Sequence, residues 1–396
     1  MTTKILERIG GPAPHRILAL DGGGVRGVIS IAFLEAIELL LAARAVRLGK
    51  VSRAEDFRLS DYFDIIGGTS VGSMLAVLLA QGRRVAEIRE QFEDWAPAIF
   101  RRPWGRPPYI TPKFNAANLQ KCVSTALEEE TLGSDRFETV VAVIAKRLDT
   151  GSSWVMTNSP LSKYWEDDPE HGVIGNQHYR LTDLVCASTA APFYFAPRRM
   201  KIDAQTTGVF VDGGVSPHNS PALQLFMLAG IRGYRFGWDI GADKLLMISV
   251  GAGTHRMRLK DSMLNRLIPG ALAIDALQGL IADGQTMSLK MLQWLSKPRN
   301  SWEINGEVGA LENDELFRLA GVEKPLLSFS RYDVRLEHDW LERELSKVVS
   351  KGSLELHRAF DNPRNIPANY ELARLAAEKQ VSDDDFPSDF DGWRRY

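Results

Sequence analysis

Cysteine is scarce in this sequence of 396 residues, which contains only Cys122 and Cys186. The two positions are far apart and show neither metal-ligand spacing nor a disulfide framework, so the chain fits a reducing compartment. A formal net charge of −2 leaves little excess of either sign, which disfavours nucleic acid as a partner. The composition therefore favours a cytoplasmic protein that does not bind nucleic acid.

Long apolar segments of the kind that target or anchor a chain are also missing. Residues 1–11 hold no apolar core of signal-peptide length. The longest apolar stretches contain Glu35, Glu38 and Arg44, or end at Gly82. The sequence therefore predicts no membrane-spanning helix, and a protein of this kind would reach a membrane lipid only from the bilayer surface.

No stretch rich in glycine, serine or proline divides the chain, and no internal repeat is visible. Short apolar runs alternate with helical patterns, which is typical of an α/β domain with a mainly parallel sheet. The predicted strands are 16–20, 62–66, 139–145, 153–156, 208–211 and 245–250. We expect this domain over residues 14–330, followed at 331–396 by a helical C-terminal extension whose acidic stretch at 382–385 is mobile.

A Gly-x-Ser-x-Gly pattern occurs at residues 68–72, with Ser70 at its centre. It lies between a predicted strand and an apolar helical run at 71–80, which is the context of a nucleophile elbow. Gly68 and Gly72 permit a strained turn, and the helix start favours developing negative charge. A glycine-rich turn without chemistry is the alternative. Ser73, one turn into the helix, is expected to bond the backbone instead.

A glycine loop with the sequence Asp-Gly-Gly-Gly-Val-Arg-Gly follows the first predicted strand at residues 21–27. Serial backbone N–H groups at a helix start can hold a phosphate or form an oxyanion hole. Gly22, Gly24 and Gly27 also match a dinucleotide-binding pattern, which needs an acidic residue about twenty positions later at a strand end. Residues 41–48 contain no acidic residue and no clear strand pattern, so a nucleotide-binding oxidoreductase is disfavoured.

Asp212 follows a short apolar run and is itself followed by Gly213 and Gly214. A serine hydroxyl needs a base at neutral pH, and open α/β sheets place ligands at the carboxyl ends of strands. The seven histidines are His15, His171, His178, His218, His255, His338 and His357. Only His218 and His255 follow strand ends and rival Asp212. The residues therefore favour a Ser70–Asp212 dyad over a triad.

These three patterns, in this order, resemble those of the patatin-like phospholipase family over about residues 14–255. Segments 187–193 and 216–222 resemble family segments as well. The resemblance implies a three-layer α/β/α fold and cofactor-independent lipid acyl hydrolysis. It implies that Ser70 is the nucleophile, Asp212 the proton acceptor and Gly22, Gly23 and Gly24 the oxyanion hole. Supporting positions are Arg26, Gly27, Gly68, Val71, Gly72, Gly213 and Gly214.

The resemblance further implies a serine hydrolase of the phospholipase A or lysophospholipase type. It would cleave carboxylic esters of phospholipids or lysophospholipids through an acyl-enzyme, at a membrane surface or micelle. The alternatives are the oxidoreductase and a non-catalytic lipid-binding module. Some relatives of this type are bacterial immune effectors gated by a cyclic nucleotide, which remains a further alternative.

An aromatic and cationic segment at 95–113 contains Trp95, Arg101, Arg102 and Trp104. No acidic residue occurs between residues 95 and 127, and five prolines are expected to break any long helix between 97 and 112. Aromatic and cationic side chains suit the interface of an anionic bilayer. The segment is therefore a candidate lid or docking loop over Ser70, with an ordinary packed loop as the alternative.

Overall fold

The computed structural model describes residues 2–103, 111–256, 269–300, 303–305, 309–310, 321 and 323–392. The strands are β1 (His15–Leu20), β2 (Ile65–Thr69), β3 (Val140–Arg147), β4 (Ser153–Thr157), β5 (Arg198–Lys201), β6 (Thr207–Asp212), β7 (Leu245–Val250), β8 (Lys297–Pro298), β9 (Glu303–Asn305), β10 (Gly309–Ala310) and β11 (Ser328–Tyr332).

The helices are α1 (Thr2–Gly10), α2 (Gly27–Arg47), α3 (Leu59–Tyr62), α4 (Val71–Ala80), α5 (Val85–Ile99), α6 (Ala116–Leu127), α7 (Leu181–Ser188), α8 (Ala222–Gly230), α9 (Pro269–Leu295), α10 (His338–Leu345), α11 (Lys351–Arg358) and α12 (Ile366–Gln380).

Nine strands form one central sheet in the order β5-β6-β3-β2-β1-β7-β11-β8, with β4 paired to β3. Strands β3, β2, β1, β7, β11 and β8 pair in parallel, whereas the β3–β4, β3–β6 and β5–β6 pairs are antiparallel. Every residue of β1, β2 and β7 is buried, as expected for parallel strands covered on both faces. The predicted α/β class with a mainly parallel sheet is confirmed.

Two glycines of β2 show how helices cover both faces of the sheet. A Cβ atom on Gly67 would lie 2.6 Å from the Leu225 side chain of α8. A Cβ atom on Gly68 would lie 2.0 Å from the carbonyl oxygen of Gly72 in α4. Since successive strand residues face opposite sides, α8 and α4 lie on opposite faces. The fold is therefore the three-layer α/β/α arrangement that the resemblance implies.

The strand predicted at 62–66 is wrong at both ends. Residues 59–62 form the short helix α3, and β2 begins at Ile65 and continues through both glycines to Thr69. These glycines do not stop the strand, because their bare backbone is what allows α8 and α4 to pack so closely. Pro97 likewise does not end α5, which continues to Ile99.

The C-terminal residues share the core of the sheet domain. Strand β11 pairs with β7, and α12 packs along α2. The expectation that residues 382–385 are mobile is wrong. Asp385 is buried and accepts a 2.7 Å hydrogen bond from the Tyr332 hydroxyl, while Asp383 pairs with the buried Arg44 at 2.8 Å. Burial of these partners fixes the acidic stretch, and the predicted boundary near residue 330 stays a prediction.

Candidate active site

Ser70 occupies the tight turn between β2 and α4. Its backbone has φ 56° and ψ −127°, a region that a residue with a side chain rarely adopts. The turn is possible because Gly72 packs against β1, where a Cβ atom would lie 2.3 Å from the Leu20 carbonyl oxygen. Ser73 donates to the Ser70 carbonyl oxygen at 2.6 Å, as expected, so of these two serines it is Ser70 whose hydroxyl faces the carboxyl edge of the sheet.

The side chains of Ser70 and Asp212 meet at this edge. Ser70 Oγ donates to Asp212 Oδ2 at 2.6 Å, and both residues are largely buried. The other carboxylate oxygen of Asp212 accepts the backbone N–H of Gly214 at 2.7 Å. The carboxylate is therefore fixed by two hydrogen bonds, with one oxygen aimed at the serine hydroxyl.

The course of β6 brings Asp212 to Ser70 by a route that differs from the expected one. Strand β6 is antiparallel to β3 and pairs only with residues 145–147, at the carboxyl end of β3. Strand β6 begins outside the carboxyl edge of the sheet and runs toward it. Its last residue, Asp212, therefore lies beside the carboxyl ends of β3 and β2. Asp212 lies at the carboxyl edge of the sheet, as expected. The reason given for this position, that β6 is a parallel strand ending at that edge, is wrong because β6 is antiparallel.

Burial changes the acidity of Asp212. Removal from water raises the pKa of its carboxyl group to about 6, and the hydrogen bonds from Ser70 and Gly214 oppose that rise. A carboxylate with this pKa is ionised at pH 7 and is a stronger base than a free Asp side chain, whose pKa is about 3.9. The site therefore supplies a base suited to neutral pH.

The two rival histidines lie near the site, and His255 lines the same cavity as Ser70, but both engage other partners. His218 contributes its backbone carbonyl, which accepts a 2.6 Å hydrogen bond from the Thr69 hydroxyl. His255 Nδ1 lies 3.4 Å from Arg26 Nη1, and burial with the nearby cations lowers the pKa of His255 to about 3. Neither imidazole is hydrogen-bonded to Ser70, whose hydroxyl donates to Asp212.

The glycine loop packs directly against the serine. A Cβ atom on Gly22 would lie 3.1 Å from Ser70 Cβ, and Gly24 has φ +59° beneath the Phe360 carbonyl oxygen. The N–H of Gly22 already donates to the Asn219 carbonyl oxygen at 3.0 Å. Within the described residues no hydrogen bond engages the N–H groups of Gly23 or Gly24. Among the three loop glycines predicted to form an oxyanion hole, Gly23 and Gly24 therefore have N–H groups that are not already engaged, whereas Gly22 does not.

A cavity of about 1030 Å³ opens over Ser70, Asp212 and the glycine loop. Much of its wall is apolar and includes an aromatic cluster formed by Phe100, Phe114, Tyr194 and Phe195, of which all but Phe114 line the cavity. Arg26 also lines it, and burial lowers the pKa of this guanidinium to about 10. The cavity thus combines an apolar surface with charged side chains, which include Arg26 of the glycine loop and three further arginines, Arg256, Arg335 and Arg358.

The remaining predicted positions support the turn geometry. Gly27 packs against Val71, where a Cβ atom would lie 2.7 Å from the valine side chain. A Cβ atom on Gly213 would lie 2.4 Å from the Ile144 carbonyl oxygen. Gly214 donates to Asp212, as described above. Gly213 thus allows close approach of the β3 backbone, whereas Gly27 and Gly214 leave room for neighbouring side chains.

Sequence reasoning missed the roles of three polar residues. Ser188 Oγ accepts the Ser70 N–H at 2.8 Å and donates to the Ile144 carbonyl oxygen at 2.6 Å. Asn219 and Gln285 bond to each other beside the glycine loop. Ser188 and Asn219 lie within segments that resemble the family, which is the only signal that could have drawn attention to them, whereas no motif surrounds Gln285.

The proposed membrane-facing segment is only partly described. Trp95 is half-buried and packs against the core, whereas Arg101 and Arg102 are exposed. Trp104 lies outside the described residues. Of the helices that the structure describes, none combines the length and apolar character of a membrane span. In the same described part, no cluster of three or more His, Cys, Asp or Glu residues is placed to hold a metal ion.

The fold and this site belong to a known class of protein. The sequence model of the family described as "Patatin-like phospholipase" matches residues 18–226, more than half of the chain. The chain therefore belongs to the patatin-like phospholipase family.

Individual relatives agree with this assignment. The chain is 29% identical over 255 residues to a "cGAMP-activated phospholipase" of Escherichia coli, covering 63% of this chain and 65% of the relative. It is 28% identical over 258 residues to "Patatin group J-1" of Solanum tuberosum, covering 60% of each chain. The match thus spans less than two thirds of each of these relatives.

Among solved structures, VipD from Legionella pneumophila matches with a TM-score of 0.34 and 11% identity. That match covers 93% of this chain and 67% of the VipD chain. No conclusion rests on a similarity this low.

Proposed function

We propose that this protein is a serine-dependent lipid acyl hydrolase that cleaves carboxylic esters of phospholipids or lysophospholipids. The observation that carries the proposal is the 2.6 Å hydrogen bond from Ser70 Oγ to Asp212 Oδ2, next to the glycine loop and inside an apolar cavity. Membership of the patatin-like phospholipase family supports a lipid as substrate.

The reaction begins when Asp212 accepts the Ser70 proton while Ser70 Oγ attacks the ester carbonyl carbon. The N–H groups of Gly23 and Gly24, together with that of Val71 at the start of α4, stabilise the oxyanion. The tetrahedral intermediate collapses, and Asp212 returns the proton to the departing alcohol oxygen. Asp212 then takes a proton from water as the water oxygen attacks the acyl-enzyme carbonyl carbon. When this second tetrahedral intermediate collapses, the bond to Ser70 Oγ breaks, Asp212 returns the proton to Ser70 Oγ, and the fatty acid is released.

The lining of the cavity suits a phospholipid. Its apolar wall accepts an acyl chain, and Arg26 supplies a cation that can meet the substrate phosphate. The oxidoreductase alternative loses its remaining basis, because α2 continues to Arg47 where a dinucleotide site needs a second strand. A non-catalytic lipid-binding module stays an outcome of the test below.

A fluorophosphonate probe provides that test. We expect covalent labelling at Ser70, which mass spectrometry locates, and we expect it to be lost in Ser70→Ala and Asp212→Asn. Circular dichroism controls for folding. A folded wild-type protein that neither labels nor hydrolyses esters would instead be a lipid-binding module.

A panel of defined lipids then identifies the substrate. Phospholipids and lysophospholipids with different acyl groups at each glycerol position are incubated with wild type and with Ser70→Ala, and free fatty acids are measured. Because one relative is named a cGAMP-activated phospholipase, each reaction is run with and without cGAMP. Stimulation of the wild type alone would extend ligand-gated activity to this chain.

A further inference from the structure

Gln285 lies where the glycine loop, the turn after Asp212 and helix α9 meet. Its side chain is buried, and it projects from α9, which forms part of the cavity wall. Residue 285 falls outside the 18–226 range that the family model matches. Its position in the site therefore comes from the tertiary structure and not from a motif around Ser70.

The first contact of Gln285 is with Asp21, the residue that opens the glycine loop. Gln285 Nε2 donates to Asp21 Oδ2 at 2.8 Å, and Arg331 donates to the same oxygen at 2.7 Å. The backbone N–H of Asp21 donates to the Val250 carbonyl oxygen at 3.1 Å. The start of the loop is thus held by its side chain and by its backbone.

The second contact is with Asn219. Asn219 Nδ2 donates to Gln285 Oε1 at 2.7 Å, and the Asn219 carbonyl oxygen accepts the N–H of Gly22. Asn219 Oδ1 lies so close to the backbone that a Cβ atom on Gly22 or Gly214 would be 2.5 or 2.8 Å away. Asn219 therefore lies between the glycine loop and the turn that follows Asp212.

The two contacts together require a neutral amide. The group at position 285 must donate to the carboxylate of Asp21 and accept from the amide of Asn219, and a glutamine side chain does both. A carboxylate there would have no donor and would repel Asp21. An apolar side chain would leave Asn219 and Asp21 each short of one buried partner.

We propose that Gln285 is a positioning residue. It fixes the glycine loop relative to the turn that follows Asp212, so that both keep their positions beside Ser70. The inference rests on the proposed function. The donors of Gly23 and Gly24 can stabilise an oxyanion only if they are already in place when charge develops. A displacement of about 1 Å in such a site can lower the rate about 100-fold.

Replacement of Gln285 by methionine tests this role. Gln285→Met keeps a similar side-chain volume and removes both hydrogen bonds. We expect kcat for a soluble ester to fall about 10- to 100-fold, because the oxyanion donors lose their support. KM should change less than about threefold, since the apolar wall is intact. The rate of fluorophosphonate labelling should fall by the same factor as kcat.

The matched control is Gln293→Met. Gln293 is a second buried glutamine on α9 and is not part of the cavity wall. This change also replaces a buried amide on α9, and it should leave kcat unchanged. The comparison separates loss of positioning from general loosening of the helix.

A double-mutant cycle with Asn219→Ala adds a second measurement. If the two amides act as one unit, the double variant should lose little more kcat than the more damaging single variant. If Gln285→Met does not fold, Gln285→Asn is used in its place. The shorter amide can keep only one of the two contacts, so kcat should fall to a smaller extent.

The outcomes distinguish this inference from the proposed function. A wild-type protein without labelling or turnover would overturn the proposed function. An active wild type, with Gln285→Met or Gln285→Asn within about twofold of its kcat, would overturn only the role of Gln285. Equal losses in the Gln285 and Gln293 variants would also overturn it.

Discussion

The Ser70 hydroxyl donates to Asp212 Oδ2 across 2.6 Å, although the two residues are 142 positions apart in the chain. Ser70 stands on a strained turn, and Asp212 ends a strand that enters the sheet from the opposite direction. The two side chains are buried together beside the glycine loop.

Hydrolysis should depend on the ionisation of Asp212. Because burial raises its pKa to about 6, the carboxyl group is protonated below that pH and cannot accept the Ser70 proton. We expect kcat/KM for a soluble ester to rise as the pH increases through about 6 and to level off above it. Initial rates measured from pH 4 to 9 check this.

Histidine variants provide the control for the pH profile. His218→Gln and His255→Gln should each keep the rise near pH 6, because the Ser70 hydroxyl donates its hydrogen bond to Asp212 and not to either imidazole. Disappearance of the rise in either variant would assign the base to that histidine instead of Asp212.

Asp212→Asn should abolish turnover and stabilise the fold at neutral pH. The pKa of Asp212 is higher in the folded state than the 3.8 of the free group, so the folded state binds more protons between about pH 4 and 6. The contribution of Asp212 to stability therefore falls as the pH rises through that window, by about 3 kcal/mol for a rise in pKa from 3.8 to about 6. Asparagine avoids this cost and can still bond Ser70 and Gly214.

Thermal melting at two pH values measures this effect. The melting temperature of Asp212→Asn should exceed that of the wild type at pH 7.5, with little difference at pH 4. A lower melting temperature at pH 7.5 would show that the ionised carboxylate stabilises the fold, contrary to the expected sign.

Gly24→Ala should damage catalysis more than stability. The backbone of Gly24 has φ +59°, and an added Cβ atom would lie 2.2 Å from the Phe360 carbonyl oxygen. The loop must move to relieve this contact, and kcat should fall about 100-fold. The control is Gly352→Ala, where no atom lies within 4 Å, and it should keep wild-type kcat. Similar kcat in both variants would argue against a role of the loop in the reaction.

Arg331→Met should destabilise the protein strongly. Arg331 is fully buried and donates to Asp21 and Asp333, each at 2.7 Å, so its loss leaves two carboxylates without their cation. Removal of one member of a buried ionic group costs about 3–5 kcal/mol. Denaturant titration of the wild type and the variant measures the change in the free energy of unfolding.

An exposed arginine gives the comparison for Arg331. Arg374 pairs with Glu371 and Glu378 on the surface, where water screens the charges. Arg374→Met should therefore leave the free energy of unfolding nearly unchanged. If Arg374→Met lowered the free energy of unfolding as much as Arg331→Met does, burial would not be the reason for the large contribution of Arg331.

The exposed pair Arg101 and Arg102 should contribute to binding of anionic vesicles. A cation near such a surface contributes about 1 kcal/mol, so the double alanine variant should bind about 10- to 30-fold more weakly at low salt. Turnover of a soluble ester should not change. Vesicle co-sedimentation with Arg47→Ala/Lys50→Ala as a control pair of exposed cations measures this. Unchanged vesicle binding would leave an ordinary packed loop as the better interpretation.

Local sequence patterns were sufficient to predict several helices and strands, and to single out Ser70 and Asp212. The helix predicted at 71–80 and the strand predicted at 245–250 coincide with α4 and β7. Both are apolar runs bounded by glycine or polar residues, so their hydrophobicity alone identifies them. Ser70 and Asp212 were predicted for a similar reason, because the glycines beside each residue mark tight backbone geometry within a few positions.

Local patterns failed where the cause lies in distant packing. The glycines of β2 suggested the end of a strand, yet they accommodate Leu225 and Gly72 from two different helices. The acidic stretch at 382–385 suggested mobility, yet it meets Tyr332 and the buried Arg44. Gly72 follows Gly68 closely, but Leu225, Tyr332 and Arg44 lie tens or hundreds of residues from the segments that they contact, so no local window of sequence contains them.

The sequence by itself determined the family, the α/β class and the pairing of a serine with an aspartate, because short-range patterns of glycine and apolar residues encode them. Only the tertiary structure decided the antiparallel entry of Asp212, the engagement of the Gly22 N–H and the bridge from Gln285 to Asp21 and Asn219. These features depend on burial and hydrogen-bond geometry between remote segments. They exist only when the sheet and its covering helices are assembled.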